Sequence, residues 1–253
     1  MKITFLGTGT SQGVPVIGCD CEVCSSLDYR DKRLRTSVHL AVDRKSFVID
    51  TGPDFRQQML REDIRQLDAV IFTHGHKDHT AGLDDVRAYN FLQAMDMPVY
   101  GQKNLLDQLR TEYYYAFEAN KYPGTPQLQL MEISSQPFTV GDATFTPLPV
   151  HHLNMPVLGF RIKDFSYITD ANFIPEETRK MLVGTKILVL NALQRERHIS
   201  HFNLEEAIEV ATRIGANKTY FTHISHKLGL HKEVQKELPL SMALAYDGLS
   251  IKL

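Results

Sequence analysis

One heptapeptide constrains this chain more than any other stretch: Thr73-His74-Gly75-His76-Lys77-Asp78-His79, directly after the apolar run Ala69-Val70-Ile71-Phe72. It places four metal-ligand side chains, His74, His76, Asp78 and His79, within six consecutive positions. Three imidazoles and a carboxylate this close cannot all turn toward one ion in an ordinary turn, but they can serve two adjacent ions. A histidine-rich surface loop would account for an isolated H-x-H, not for H-x-H-x-D-H at the end of a β run. One loop cannot enclose two metals. The remaining ligands must come from distant segments, so the fold has to bring several strand ends to a common point.

Short apolar β-like runs dominate the first third of the chain: Ile3–Phe5, Ser37–Val42, Phe47–Ile49 and Ala69–Phe72. Helical spacing follows over 54–60, over 83–95, where Leu83, Val86, Asn90 and Phe91 share a face, and over 104–117. A second β series comprises Ala143–Val150, Leu158–Ile162, Phe165–Thr169 and Lys186–Leu190. Asn203 then reads as a helix cap with Glu206 reaching back, Gly215 as the stop, and Lys218–Thr222 as a further strand. Two successive β-then-α halves predict an α/β fold, two mixed β-sheets face to face with outer helices, an αβ/βα sandwich of four layers. No linker, low-complexity tract or repeat divides the chain, and residues 1–253 are expected to form a single domain.

At 43% hydrophobic and 23% charged residues, a chain of 253 can bury a sizeable core. Its formal net charge of −2 gives no bulk attraction to nucleic acid, so a polyanion would need a local basic patch or the metals themselves. No apolar run approaches the length of a membrane span, and a cytoplasmic protein without membrane contact is expected. All three cysteines lie between positions 19 and 24, which speaks against a secreted disulfide framework and for metal.

Candidates for the missing ligands sit where β runs end. His151 and His152 follow Ala143–Val150, Asp170 follows Phe165–Thr169, and His223 follows Lys218–Thr222. All these donors are nitrogen or oxygen, which suits Zn²⁺, Mn²⁺ or Fe²⁺. Two such ions about 3.5–4 Å apart can hold a bridging hydroxide and neutralise phosphoryl charge, chemistry that suits a phosphodiester.

The H-x-H-x-D-H signature followed by these residues in this order resembles the metallo-β-lactamase superfamily, and over nearly the whole chain its phosphodiesterase branch. The resemblance implies the metallo-β-lactamase αβ/βα sandwich and a binuclear site. In it His74, His76 and His152 would hold one ion, Asp78, His79 and His223 the other, and Asp170 would bridge them. His152 is chosen over His151 because Pro156-Val157-Leu158-Gly159-Phe160 then aligns with the branch's pattern. Asp50, in Ile49-Asp50-Thr51-Gly52, resembles the first-motif aspartate that orients the histidine loop from behind the ligands; it also reads as a plain turn residue before Gly52. His201, before Phe202-Asn203-Leu204, resembles a histidine that this branch places near the scissile phosphate, where it could protonate the leaving oxygen. Asp78 and His201 are the residues given a part in the chemistry.

A second cluster, Cys19-Asp20-Cys21-Glu22-Val23-Cys24, offers three thiolates, and a closed zinc site wants a fourth ligand. The turn Gly7–Pro15 followed by this cluster resembles the PhnP-type cyclic-phosphate phosphodiesterases. There a histidine three residues beyond the last active-site histidine completes a structural zinc; here that position is His226. The turn is spaced G-x-G-x-x-x-G and is not a dinucleotide fingerprint. The expected cofactors are two divalent ions in the active site and one structural zinc.

Among the other histidines, His39 reads as a strand position and His198 and His231 as surface residues. The segment Tyr113-Tyr114-Tyr115-Ala116-Phe117 with Tyr122 reads as core or homodimer interface, with a lid over the substrate as the sharper alternative. The function expected is hydrolysis of a small phosphodiester, such as a ribose cyclic phosphate. The tRNA 3′-processing endonucleases resemble the chain in ligand set, but many carry a long arm before the bridging aspartate; Phe160 to Asp170 leaves no room for one, and a nucleic-acid partner is not expected. A non-enzymatic metal binder should have lost ligands, and none is missing. Thioester or lactam hydrolysis stays open, because fold does not fix substrate.

Overall fold

The computed structural model describes residues 1–253. Its strands are β1 Lys2–Gly7, β2 Ser37–Val42, β3 Lys45–Ile49, β4 Ala69–Ile71, β5 Met97–Gly101, β6 Leu128–Glu132, β7 Phe138–Val140, β8 Ala143–His152, β9 Met155–Ile162, β10 Phe165–Ile168, β11 Ile187–Asn191, β12 Lys218–Thr222, β13 Met242–Leu244 and β14 Ser250–Lys252. The helices are α1 Glu22–Ser25, α2 Phe55–Arg61, α3 Lys77–Thr80, α4 Arg87–Gln93, α5 Lys103–Glu112, α6 Glu176–Met181, α7 Leu204–Ile214 and α8 His231–Glu237.

Two seven-stranded sheets result, ordered β14-β1-β2-β3-β4-β5-β6 and β13-β12-β11-β10-β9-β8-β7. In the first, β14 to β3 pair antiparallel and β3 to β6 parallel. The second has the same plan, with β13 to β10 parallel and β10 to β7 antiparallel. Both faces of the central strands are covered, which is why they read as unbroken apolar runs. Phe47 and Ile49 of β3 enter the core between the sheets, while Val48 faces Phe55 of α2 and Leu105 of α5. In β11 Val189 points between the sheets, and Leu188 and Leu190 pack with Ala207 and Ala211 of α7 and Val234 of α8. The architecture is the expected αβ/βα sandwich. No helix is long and apolar enough to cross a membrane.

Several local readings hold and others shift. The α7 capping box is complete: Asn203 Oδ1 accepts from the Glu206 N–H at 2.9 Å, and the Glu206 carboxylate accepts from the Asn203 N–H at 3.1 Å. The helix expected over 83–95 divides into a 3-10 turn, Leu83–Val86, and α4. The one expected over 104–117 stops at Glu112, and Tyr114–Ala116 forms a 3-10 turn. Tyr113 belongs to the core, its hydroxyl donating to the Thr80 carbonyl, while Tyr114 and Tyr122 are exposed. His231 is not a surface residue. It is buried at the start of α8, because Arg33 Nη2 lies 3.1 Å from its Nδ1 and Asp31 accepts from its backbone N–H.

The topology sends β3, β4, β8, β10 and β12 toward one edge of the sandwich, and each candidate metal ligand lies at or just after the carboxyl end of one of these strands. That edge is where parallel sheets ordinarily place their sites. The loops fit closely. A Cβ at Gly52 would collide with the Asp78 carbonyl oxygen, and one at Gly82 with the Gly52 carbonyl oxygen, so the histidine loop lies directly on the loop after β3.

His39 fills the expected strand position in β2, and its Nε2 lies 2.8 Å from Ser46 Oγ. Burial pushes this imidazole down to about 4, against about 6.5 in an unfolded chain. Between those values the unfolded chain binds the extra proton, so stability is lost as pH falls from about 6.5 to about 4. His39→Gln should lose less stability than the parent over that window, by roughly 1–3 kcal/mol, in denaturant titrations at paired pH values.

Candidate active site

Three residues turn the backbone sharply as strands end, and each carries its side chain into the same space. Asp50 after β3, Asp170 after β10 and His223 after β12 all have positive φ, at 65°, 56° and 56°. This left-handed region costs a non-glycine residue of order 1 kcal/mol or more and concentrates at functional sites. At Asp170 the strain is held by Asn191, the last residue of β11. Its buried amide accepts from the Ala171 N–H at 2.8 Å and donates to the Ala171 carbonyl at 2.9 Å.

Asp50 lies beneath the histidine loop. Its carboxylate accepts from the Thr73 N–H at 2.9 Å, the Thr73 hydroxyl at 2.9 Å and His79 Nδ1 at 2.7 Å. The Thr73 hydroxyl in turn lies 2.9 Å from His74 Nδ1. With their Nδ1 atoms occupied, His79 and His74 present Nε2 to the centre of the site. His152 is fixed the same way, with Nδ1 2.8 Å from the Ser200 carbonyl. Its neighbour His151 turns aside and packs against Phe173, as alternation along β8 requires.

The free ligand atoms converge on Asp170. His74 Nε2 lies 3.1 Å from His76 Nδ1 and 3.7 Å from Asp170 Oδ2. His79 Nε2 lies 3.2 Å from Asp78 Oδ2 and 3.3 Å from Asp170 Oδ2, and His223 Nε2 lies 3.2 Å from Asp170 Oδ1. Two ligands about 2.0–2.1 Å from a tetrahedral ion are separated by about 3.3 Å, so most of these spacings match those that ligands around a cation would have. Hydrogen bonding accounts for only part of this: His74 Nε2 and His76 Nδ1 are within hydrogen-bond distance, but His79 Nε2 and both ring nitrogens of His223 are buried without a hydrogen-bond partner. Asp170 faces one group with His74 and His76, a second with Asp78, His79 and His223, and a third with His152 and His201. The His76 and His152 rings are 5.1 Å apart, which puts His152 on the side of the first group.

Charge in the cluster is strongly coupled. Burial opposes ionisation of Asp170, yet His223 and His79 outweigh it and hold the carboxyl well below the usual range. Burial likewise opposes a proton on His223, but Asp170 and Asp78 raise it to about 9. A cation among these carboxylates would compete with such protons, so metal binding here releases them and weakens as pH falls.

His201 is buried between His152 and His223, with ring centroids 4.6 and 4.8 Å away, and its Nε2 is 3.5 Å from Asp170 Oδ2. His198, read as a surface residue, is exposed but reaches back: its Nδ1 lies 3.2 Å from His201 Nδ1. Sequence reasoning also passed over Ser200, Asn172 and Asn191. Asn191 carried the same signal as Asp170 and His223, the first polar residue at the end of a β run.

The cysteine cluster forms a separate group. Cys19, Cys21 and Cys24 place their sulfurs 3.3, 3.4 and 3.5 Å from His226 Nδ1. A tetrahedral ion with bond lengths of about 2.3 Å to sulfur and 2.05 Å to nitrogen would separate them by about 3.6 Å. The Cys24 N–H, 3.5 Å from the Cys21 sulfur, is the leading cause that draws this thiol down to about 6, while burial pushes Cys24 up to about 11.

Residues 45–224 match the model of the β-lactamase superfamily domain. A PhnP-family diphosphatase of known structure is 40% identical, with a TM-score of 0.93 over 100% of this chain and 97% of that one. The chain belongs to the β-lactamase superfamily and to its PhnP family. Its site is built as that of a metal-dependent hydrolase. An octanoyltransferase of Porphyromonas gingivalis is 42% identical over 98% of this chain and 51% of its own length; the chain spans about half the length of the curated relatives it matches. Human short-form tRNase Z shares the fold, at a TM-score of 0.70 and 18% identity over 100% of this chain and 99% of that one.

If the four residues of the thiolate group share one ion, Cys21→Ser should lose about one metal per chain and melt at lower temperature, because a closed site contributes directly to folding. Elemental analysis beside a melting curve checks both.

Proposed function

We propose that this protein hydrolyses a small phosphodiester, using two divalent ions, Zn²⁺ or Mn²⁺, held by His74, His76 and His152 on one side and by Asp78, His79 and His223 on the other. The zinc-type thiolate group of Cys19, Cys21, Cys24 and His226 is structural in this reading. The observation that carries it is Asp170, a buried carboxylate directed at both groups and flanked by His201. Ions held there would supply a nucleophile at neutral pH and neutralise charge on the phosphoryl oxygens. The residues do the rest: Asp50 and Thr73 fix the ligand tautomers, Asn191 holds Asp170 in place, and His201 faces the position of the phosphoryl group.

Burial pulls His201 down to about 4, so its ring is neutral near pH 7. An anionic phosphate beside it raises that value, which couples protonation of His201 to substrate binding. The cluster offers no thiol or lysine amine to carry an acyl group, which favours hydrolysis over acyl transfer. The short turn Lys163–Asp164 between β9 and β10 leaves no arm for tRNA at that point. The 40%-identical PhnP-family diphosphatase favours one second reading, cleavage of a diphosphate at the same ions.

Assay of the purified protein with added Zn²⁺ or Mn²⁺ against ribose cyclic phosphates, nitrophenyl diesters, diphosphates, precursor tRNA and thioesters tests the proposal. Turnover confined to tRNA or thioesters would overturn it. Asp170→Asn should cut turnover about 100-fold or more and lower the metal content of the histidine site while leaving the thiolate-bound metal in place. His201→Ala should slow a diester with an alkoxide leaving group about 100-fold, and one with a nitrophenolate leaving group by less than about tenfold, because only the alkoxide needs a proton to depart. Equal losses would make His201 a phosphate-positioning residue.

A further inference from the structure

We propose that the cleft beside His76 and His152 is a subsite for an apolar, uncharged arm of the substrate, an alkyl or aryl group carried on the phosphate. The inference rests on the phosphoryl reading above and adds a substrate class to it. The cleft has a volume of about 340 Å³; Leu153, Met155 and Ile199 form its apolar walls, and the two histidines, Asn154 and Ser200 complete the lining. No lysine or arginine lines it, so a second phosphate on this side would meet no counter-charge.

Single exposed apolar side chains are ordinary on a protein surface. These are built differently. Leu153 is the first residue of the two-residue turn joining β8 to β9, where His152 pairs with Met155. Its φ is 56°, a conformation that glycine or asparagine usually supplies at such a turn. A leucine there accepts backbone strain, and its side chain stays 47% exposed at the mouth of the site. One amide fixes both apolar walls. Asn172 Oδ1 accepts from the Leu153 N–H at 2.7 Å, and Asn172 Nδ2 donates to the Ile199 carbonyl at 3.1 Å. Asn172 lies two residues after Asp170, so the apolar walls are referenced to the carboxylate at the centre of the ligand cluster.

The geometry therefore supports a diester whose phosphate sits at the ligand cluster and whose apolar arm lies along Leu153 and Ile199. Each methylene fully buried there should strengthen binding about fourfold until the cleft is filled.

Calorimetric titration of the metal-loaded protein with methyl, butyl and hexyl phosphate tests this without relying on turnover. The dissociation constant should fall steadily from methyl to hexyl. Leu153→Asn suits the turn and should fold at least as well as the parent, yet it and Ile199→Ser should each flatten the series while binding methyl phosphate normally. Equal affinity for the three ligands, or an undiminished slope in both variants, would overturn the apolar subsite and leave the phosphodiester reading standing. Failure of methyl phosphate and inorganic phosphate to bind at all would overturn the phosphodiester reading, and the subsite with it.

Discussion

The Asp170 carboxylate is the constraint around which the molecule is arranged. A carboxylate this deeply buried is costly unless positive charge or hydrogen-bond donors surround it, and here the surrounding groups come from both halves of the chain. His74 and His79 arrive from the first sheet, His152, His201 and His223 from the second. The two sheets must therefore end at the same edge with their loops in register. The close contact of Gly52 with the Asp78 carbonyl and the amide clamp of Asn191 on Ala171 serve that one requirement.

The thiolate group takes its histidine, His226, from three residues beyond His223. Between His223 and His226 the backbone is stitched to the amino-terminal turn, with the Ile224 N–H donating to the Thr8 carbonyl and the Thr10 N–H donating to the Ile224 carbonyl. Behind it Arg33, Asp31 and His231 form a buried polar set that ties the cysteine loop to α8. An ion bound by the thiolates would anchor this segment from one side while the active-site cluster holds it from the other. Soft sulfur donors and hard oxygen donors keep the two groups chemically distinct.

Much of this was legible in the sequence, because metal ligands must be particular residue types at particular spacings. His74, His76, Asp78 and His79 declare themselves in one loop, and Asp170 and His223 each follow an unmistakable β run. His152 needed the structure to separate it from His151 on physical grounds, since only the direction of alternation along β8 and the Ser200 carbonyl decide between them. Strands β5, β6, β7, β13 and β14 escaped notice for a different reason. β5 contains Pro98 and ends in Gly101, while β7, β13 and β14 have three residues each, too few to show a period. Buried polar partners such as Asn172, Asn191 and His231 leave no local pattern, because their role is set by what the fold brings against them.

The left-handed backbone at Asp50, Asp170 and His223 has an evolutionary consequence. Glycine would relieve the strain at each of these positions, and removing a buried carboxylate would relieve its desolvation as well, so some of the readiest gains in thermostability open to this chain lie at its working centre. Random drift toward a more robust protein would be drawn to these residues, and purifying selection for activity would have to hold them. Stability and catalysis compete here residue by residue, and the surplus stability that keeps the site affordable has to come from the apolar layers behind it.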